Sequence, residues 1–185
     1  MPNNINQQFP GCVESTDLIR LDLRTWVEVE EYLTKCKAII LPIGSTEQHG
    51  PTGAIGTDAL TAEAIALELG RRTGVLVTPT QCFGMAEHHL DFPGTMSLKP
   101  STLMNVITDL VLSLAKNGFN RIYFVNGHGG NIATVKSSFH EAYANSINQK
   151  IPDSSTLKCK IASWFMFPEV FRYSQSLYGE KEGQH

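Results

Sequence analysis

Apolar residues along this chain fall into short greasy runs separated by longer stretches in which they recur at helical spacing. Asp22–Cys36 (DLRTWVEVEEYLTKC) spaces Leu23, Trp26, Val27, Val29, Tyr32 and Leu33 as one face of a helix, with Thr25 or Asp22 as its cap. Ala38–Ile43 (AIILPI) is apolar enough for a strand buried on both faces. Asp58–Arg72 reads as an amphipathic helix stopped by Thr73 and Gly74, and Val75–Thr78 as a short strand closed by Pro79. Pro100–Asn117 is the clearest helical pattern, opened by Ser101 or Thr102 and closed by Asn117 and Gly118. Arg121–Asn126 is a third strand, Asn131–Asn148 a helix, and Leu157–Phe165 an alternating fourth strand. Helices and strands in turn predict an α/β fold with a mainly parallel sheet between layers of helices. Thr80–Lys99 has no clean period and reads as a long ordered connection around an FPGT turn. Trp164, Phe165, Phe167 and Phe171 are expected in the core or at an interface, with Trp164 a candidate wall of a substrate pocket.

Composition narrows this picture. The 185 residues suit a polar arm over 1–17 followed by one domain over 18–185. A net charge of −3 with scattered Lys and Arg gives no basic stripe, which argues against nucleic acid as a partner. No apolar run approaches the ~20 residues that cross a bilayer, and the polar start MPNNINQQ lacks the features of a signal peptide, so the expected compartment is the cytoplasm with no membrane partner. Cys12, Cys36, Cys82 and Cys159 form no CxxC pair and read as free thiols, Cys82 as a small filler. The run YGEKEGQH closes no element, and a C-terminal part is expected to be missing.

The chemistry gathers where two strands end. Beyond Ile43, in LPIGSTEQHGPTGAIGTD, Glu47 and His49 lie two apart, so an extended backbone sends both to one side. Asp58 follows where the next helix begins, and either caps that helix or binds a cation. A lone His or Asp in a loop is ordinarily a turn residue; three such groups at the ligand-binding end of a parallel strand read as half of a metal site. The third strand delivers His128 in the same way, within GHGGN, where Gly127, Gly129 and Gly130 permit unusual backbone and close approach of a ligand. Asn126, or the backbone N–H groups of Gly129 and Gly130 at the start of the following helix, are candidates to steady a developing oxyanion. In the long connection, His89 is a candidate substrate contact beside His88. Imidazole and carboxylate together suit zinc, manganese or iron better than magnesium or calcium.

GSTEQHGP, a GTD nine residues after its histidine, HLDFPGTMSL and NGHGGN occur here in one order. That set, over about residues 39–143, resembles the creatininase (creatinine amidohydrolase) family. The resemblance implies a three-layer α/β sandwich, two divalent ions (zinc first, manganese or iron otherwise), hydrolysis of C–N bonds in small linear or cyclic amides, and a homo-oligomer, often a hexamer. By motif position, Glu47, Asp58 and His128 would hold one metal, with Asp58 bridging to a second held by His49. The second site is one carboxylate short, because Gly129 and Gly130 stand where creatininase itself has Tyr-Glu. Relatives with NGHGGN take that ligand from a later HAxxxE-type segment, of which His185 would be the first residue and the proton shuttle. Thr52, where many members have a second histidine, argues against creatinine itself. Two further readings stay open: a metallopeptidase acting on short peptides, and a non-catalytic metal-binding or assembly domain.

Overall fold

Four parallel strands form the centre of the molecule, in the order β2-β1-β3-β4. They are β1 (Ala38–Ile43), β2 (Leu76–Val77), β3 (Arg121–Asn126) and β4 (Lys158–Ser163), and a computed structural model describes residues 19–179. The expected polar arm and His185 lie outside those residues. Parallel neighbours need crossovers. These are α2 (Thr57–Thr73) between β1 and β2, α3 (Pro100–Lys116) between β2 and β3, and α4 (Asn131–Asn148) between β3 and β4. A further helix, α1 (Trp26–Lys35), precedes the sheet, and α5 (Pro168–Tyr178) follows it.

The register assigns the two faces. Ile40 sits opposite Val77 and Tyr123, while Leu41 sits opposite Phe124. Gly70 of α2 lies against the Val77 side chain, so α2 covers the first face. The ring of Phe139 in α4 lies 5.1 Å from that of Phe124, so α4, with α3 packed on it, covers the second. The result is the three-layer sandwich expected from the pattern of elements. Ile39, Ile43, Leu76, Leu103, Ile107, Val111, Phe119 and Phe124 are fully buried within it. Burial of each such side chain stabilises the fold by about 1.5–3 kcal/mol. Pro42 is tolerated inside β1 for a local reason. Its carbonyl accepts from Gln81 on the β2 side, so the hydrogen it lacks would also face that side, where β2 has already ended at Val77.

Some element ends differ from expectation. Thr25 caps α1 through a full capping box with Glu28, as one of its two candidate caps. Neither Ser101 nor Thr102 caps α3; Pro100 occupies its first turn, where a missing N–H costs nothing, and Lys99 stands at the cap. The fourth strand stops at Ser163, and Trp164–Met166 form a tight 3-10 turn before α5. Phe167 and Phe171 are about half exposed, so they are not core residues among the described part of the chain. Cys82 is exposed and fills nothing. Among the described residues no helix is long and apolar enough to cross a membrane.

The first turn of α2 is driven between the ends of β1 and β3. A Cβ on Gly44 would meet the Ala59 backbone at 2.3 Å, and one on Gly127 would meet the Asp58 carbonyl at 2.1 Å. Both distances are well inside contact, whereas a Cβ on Gly129 meets nothing within 4 Å. Gly44→Ala or Gly127→Ala is therefore expected to destabilise the protein by ~3 kcal/mol or more, the upper range of overpacking. Gly129→Ala should shift stability by less than ~0.5 kcal/mol. Urea unfolding followed by circular dichroism measures both, and equal losses at Gly44 and Gly129 would refute the wedge.

Candidate metal centre

The strand ends lie side by side, with Ile43 opposite Asn126 and the Gly127 N–H donating to the Ile43 carbonyl. Each continues into its loop at the same rim. Glu47, Asp58 and His128 are buried there, and His49 and His89 are partly so. Asp58 is the second residue of α2, whose cap is Gly56, so its side chain caps nothing and is left for the site. It presents Oδ1 to His49 Nε2 at 3.0 Å and Oδ2 to His128 Nδ1 at 3.0 Å. Glu47 Oε1 lies 3.2 Å from His128 Nδ1 and 3.4 Å from His89 Nε2. One ligand atom each of Glu47, His49 and Asp58 falls within 4.8 Å of the others.

The far sides of the two imidazoles decide what this cluster can hold. His128 Nε2 lies 2.9 Å from the Met85 carbonyl, and His49 Nδ1 lies 3.1 Å from the Glu47 carbonyl. A carbonyl only accepts, so each of these nitrogens carries a proton. In the neutral rings, the lone pairs of His128 Nδ1 and His49 Nε2 therefore face carboxylate oxygens. Lone pair against anion is repulsive unless something positive lies between. While His128 is neutral, Glu47 Oε2 and Asp58 Oδ2 are moreover buried without a hydrogen-bond partner. Two buried carboxylates with unspent oxygens, and two imidazoles whose second N–H is tied to backbone, are the donor set a divalent cation takes. The residues thus fit the group. Without metal, a proton fills the gap. Burial works against a charged His128, but the Asp58 and Glu47 carboxylates and the Met85 carbonyl outweigh it and push its pKa up to about 10. Burial likewise opposes the charge of Glu47, yet His128 and Ser45 hold its carboxyl below the usual range.

Asn126 has a different task from the expected oxyanion contact. Both hydrogens of its amide are used internally, one donated to the His128 carbonyl at 2.7 Å and one to Ser163 Oγ at 2.9 Å. Gly127 and Gly130 also depart from expectation, since neither has positive φ and what crowds them is protein. A Cβ on Gly130 would strike His128 Nε2 and the Met85 carbonyl. The first two amides of α4 are closed on the carbonyls of His128 and Gly129, so they aim at no ligand. Gly129 is the open position. Trp164 follows Ser163 at the end of β4, partly buried, with its indole N–H unpartnered.

Asn131, read from sequence only as a helix start, joins three loops. It donates to the Gly44 carbonyl at 2.9 Å and to Asn126 Oδ1 at 3.3 Å, and accepts from the Met85 N–H at 3.0 Å. Met85 in turn brings in the long connection, which Met96 and Thr95 pin to Thr46 and Gln48. A helix-opening Asn is common, so composition alone carried no signal for this role.

Asn131→Ala strands the Gly44 carbonyl and the Met85 N–H, and should cost roughly 2–4 kcal/mol in chemical unfolding. The pH response has a definite sign. Because His128 is raised from 6.5 to about 10, its stabilisation is complete below 6.5 and is lost as pH rises through 10. Metal-stripped protein should accordingly melt at progressively lower temperature across that window, and Asp58→Asn should flatten the decline. A melting temperature independent of pH in this range would contradict the pairing.

The family profile for creatininase, described as creatinine amidohydrolase, matches residues 22–185. The chain is 33% identical over 162 residues to creatinine amidohydrolase of Pseudomonas putida, covering 84% of this chain and 61% of that protein. It is 35% identical over 106 residues to the mycofactocin precursor peptide peptidase of Mycolicibacterium smegmatis, covering 54% and 42%. It is 31% identical over 106 residues to 3-dehydro-scyllo-inosose hydrolase of Thermotoga maritima, covering 57% and 34%. The chain thus spans between about a third and three fifths of these relatives' lengths. Its fold superposes on a crystal structure of creatinine amidohydrolase with a TM-score of 0.78 at 27% identity, covering 88% of this chain and 64% of that one. Similar scores, 0.76 and 0.77, relate it to creatininase solved in a manganese form and in a zinc–zinc form. The profile match over most of the chain, with the fold and the strand-end cluster in agreement, makes this protein a member of the creatininase family.

Proposed function

We propose that this chain carries metal-binding residues of a cytoplasmic hydrolase that cleaves the C–N bond of a small linear or cyclic amide. One observation carries the reading: Asp58 turns one oxygen to His49 and the other to His128, and both imidazoles are anchored through their second nitrogen to backbone carbonyls. Glu47, Asp58 and His128 would hold one cation, and Asp58 with His49 part of a second; zinc or manganese fits the donors, as the named forms of the structural neighbours suggest. Bound there, divalent cations lower the pKa of a coordinated water and polarise an amide carbonyl.

The chain's own residues supply the rest. Asn131 and Asn126 hold the three loops in register, so the ligands are positioned before anything binds. His89 contacts the substrate, and His185 is assigned the transfer of a proton to the leaving nitrogen. Trp164 and the backbone at Gly129 and Gly130 are assigned to the approach, with Gly129 the less crowded of the two glycines. The assembly is assigned as a homo-oligomer, a hexamer by family resemblance.

A small non-peptide substrate is favoured because similarity to creatinine amidohydrolase extends over 84% of the chain, against 54% for the peptide peptidase. Peptide hydrolysis is the second reading, and it rests on the higher identity, 35%, within that shorter span. Asp58→Ala should empty both cation positions. Elemental analysis should fall from two ions per chain to fewer than one. Hydrolysis across a panel of formamides, lactams and short peptides should drop by more than the ~10–100-fold that loss of a supporting contact causes. Two ions retained in this variant would remove the bridging role, and release from peptides alone would select the second reading.

A further inference from the structure

Gln48 lies between two of the clustered residues, and its side chain reaches neither Asp58 nor a metal position. An amide side chain has one accepting oxygen and one doubly donating nitrogen. Here the oxygen is claimed, since the Gly50 backbone N–H, which can only donate, gives its hydrogen to Gln48 Oε1 at 2.8 Å. The opposite amide orientation would set donor against donor. Nε2 therefore faces His89, at 2.9 Å from its Nδ1, and must donate to it. A ring nitrogen that accepts carries no proton, so the proton of neutral His89 sits on Nε2. That nitrogen lies 3.4 Å from Glu47 Oε1.

We propose that Gln48 is a positioning residue that fixes the tautomer of His89, so that His89 offers an N–H at the centre and serves there as a hydrogen-bond donor, never as a metal ligand. The chain of command runs from the turn at Gly50, through the Gln48 amide, to the His89 ring and on to Glu47. The ring itself is held from the side by His88, whose centroid lies 4.2 Å from that of His89 and 6.0 Å from that of His128. Tautomer and ring plane are thus set by separate neighbours. The N–H can hold Glu47 Oε1 while the site is empty of substrate and turn to a carbonyl oxygen of a substrate bound beside it. This assignment rests on the proposed metal-dependent hydrolase for its functional meaning, though not for its geometry.

The test uses ring-nitrogen NMR of the full chain, uniformly nitrogen-15 labelled, stripped of metal and kept mildly alkaline, with His89 assigned by its loss in His89→Asn. The wild type should show His89 in a single tautomer with its proton on Nε2. Gln48→Met, which keeps the bulk and removes the donor, should give a mixture of tautomers. Gln48→Glu is isosteric and offers only acceptors, so it should place a proton on Nδ1. A proton on Nδ1 in the wild type, or a His89 spectrum unchanged in Gln48→Glu, would overturn the proposal; should Gln48→Met fail to fold, Gln48→Glu decides alone. Added zinc should then shift the ring nitrogens of His49 and His128 and leave the His89 N–H in place. If no ring responds to zinc, the metal reading fails while the Gln48 assignment stands on the metal-free spectra. Loss of the His89 N–H on zinc binding would overturn its role as a donor.

Discussion

Two backbone approaches too close for any side chain hold this rim together. The first turn of α2 lies against Gly44 on one side and Gly127 on the other, with virtual Cβ distances of 2.3 and 2.1 Å. This wedge sets the carboxylate of Asp58 between the loops that bear Glu47, His49 and His128.

The wedge creates an electrostatic problem and fixes the form of its solution. Glu47 and Asp58 are buried carboxylates sharing His128 as a neighbour, and burial of unpaired charge is costly. A single imidazolium offsets part of that cost in the metal-free protein. Cations would offset more, because the neutral imidazoles already turn their lone pairs inward. Their outer nitrogens are committed to the carbonyls of Met85 and Glu47, so the rings cannot rotate away from the charge they are meant to meet. The buried amides Asn126 and Asn131 bind the loops to one another with every donor used. That satisfaction lets a polar cluster persist at the end of an otherwise apolar sheet.

The rest of the chain supports this end in proportion to its distance from it. The strands, α2, α3 and α4 form a continuous core beneath the site. α5 is amphipathic yet buries no residue among those described. Among the described residues, the hydrogen bonds that tie the strand-end cluster together come from Ile43 to Ser163 and not from α5.

Much of the scaffold was legible in the residues alone. Ala38–Ile43, Arg121–Asn126 and Asn131–Asn148 occupy their expected spans because greasy runs and helical periodicity act locally, and the Glu47, His49, Asp58 and His128 motifs announce donor chemistry at strand ends. Element ends near Ser101 and Phe165 were less legible, since a proline at the first helical turn and a tight turn after Ser163 outweigh the simple pattern. What only the tertiary structure decided is how those donors face one another. It turned Asp58 from a possible cap into a carboxylate facing two imidazoles, made Asn126 and Asn131 internal ties, and gave Gly127 and Gly130 to close packing. Spacing along the chain names the groups. Which lone pair faces which oxygen depends on contacts between residues tens of positions apart, and no local preference encodes those.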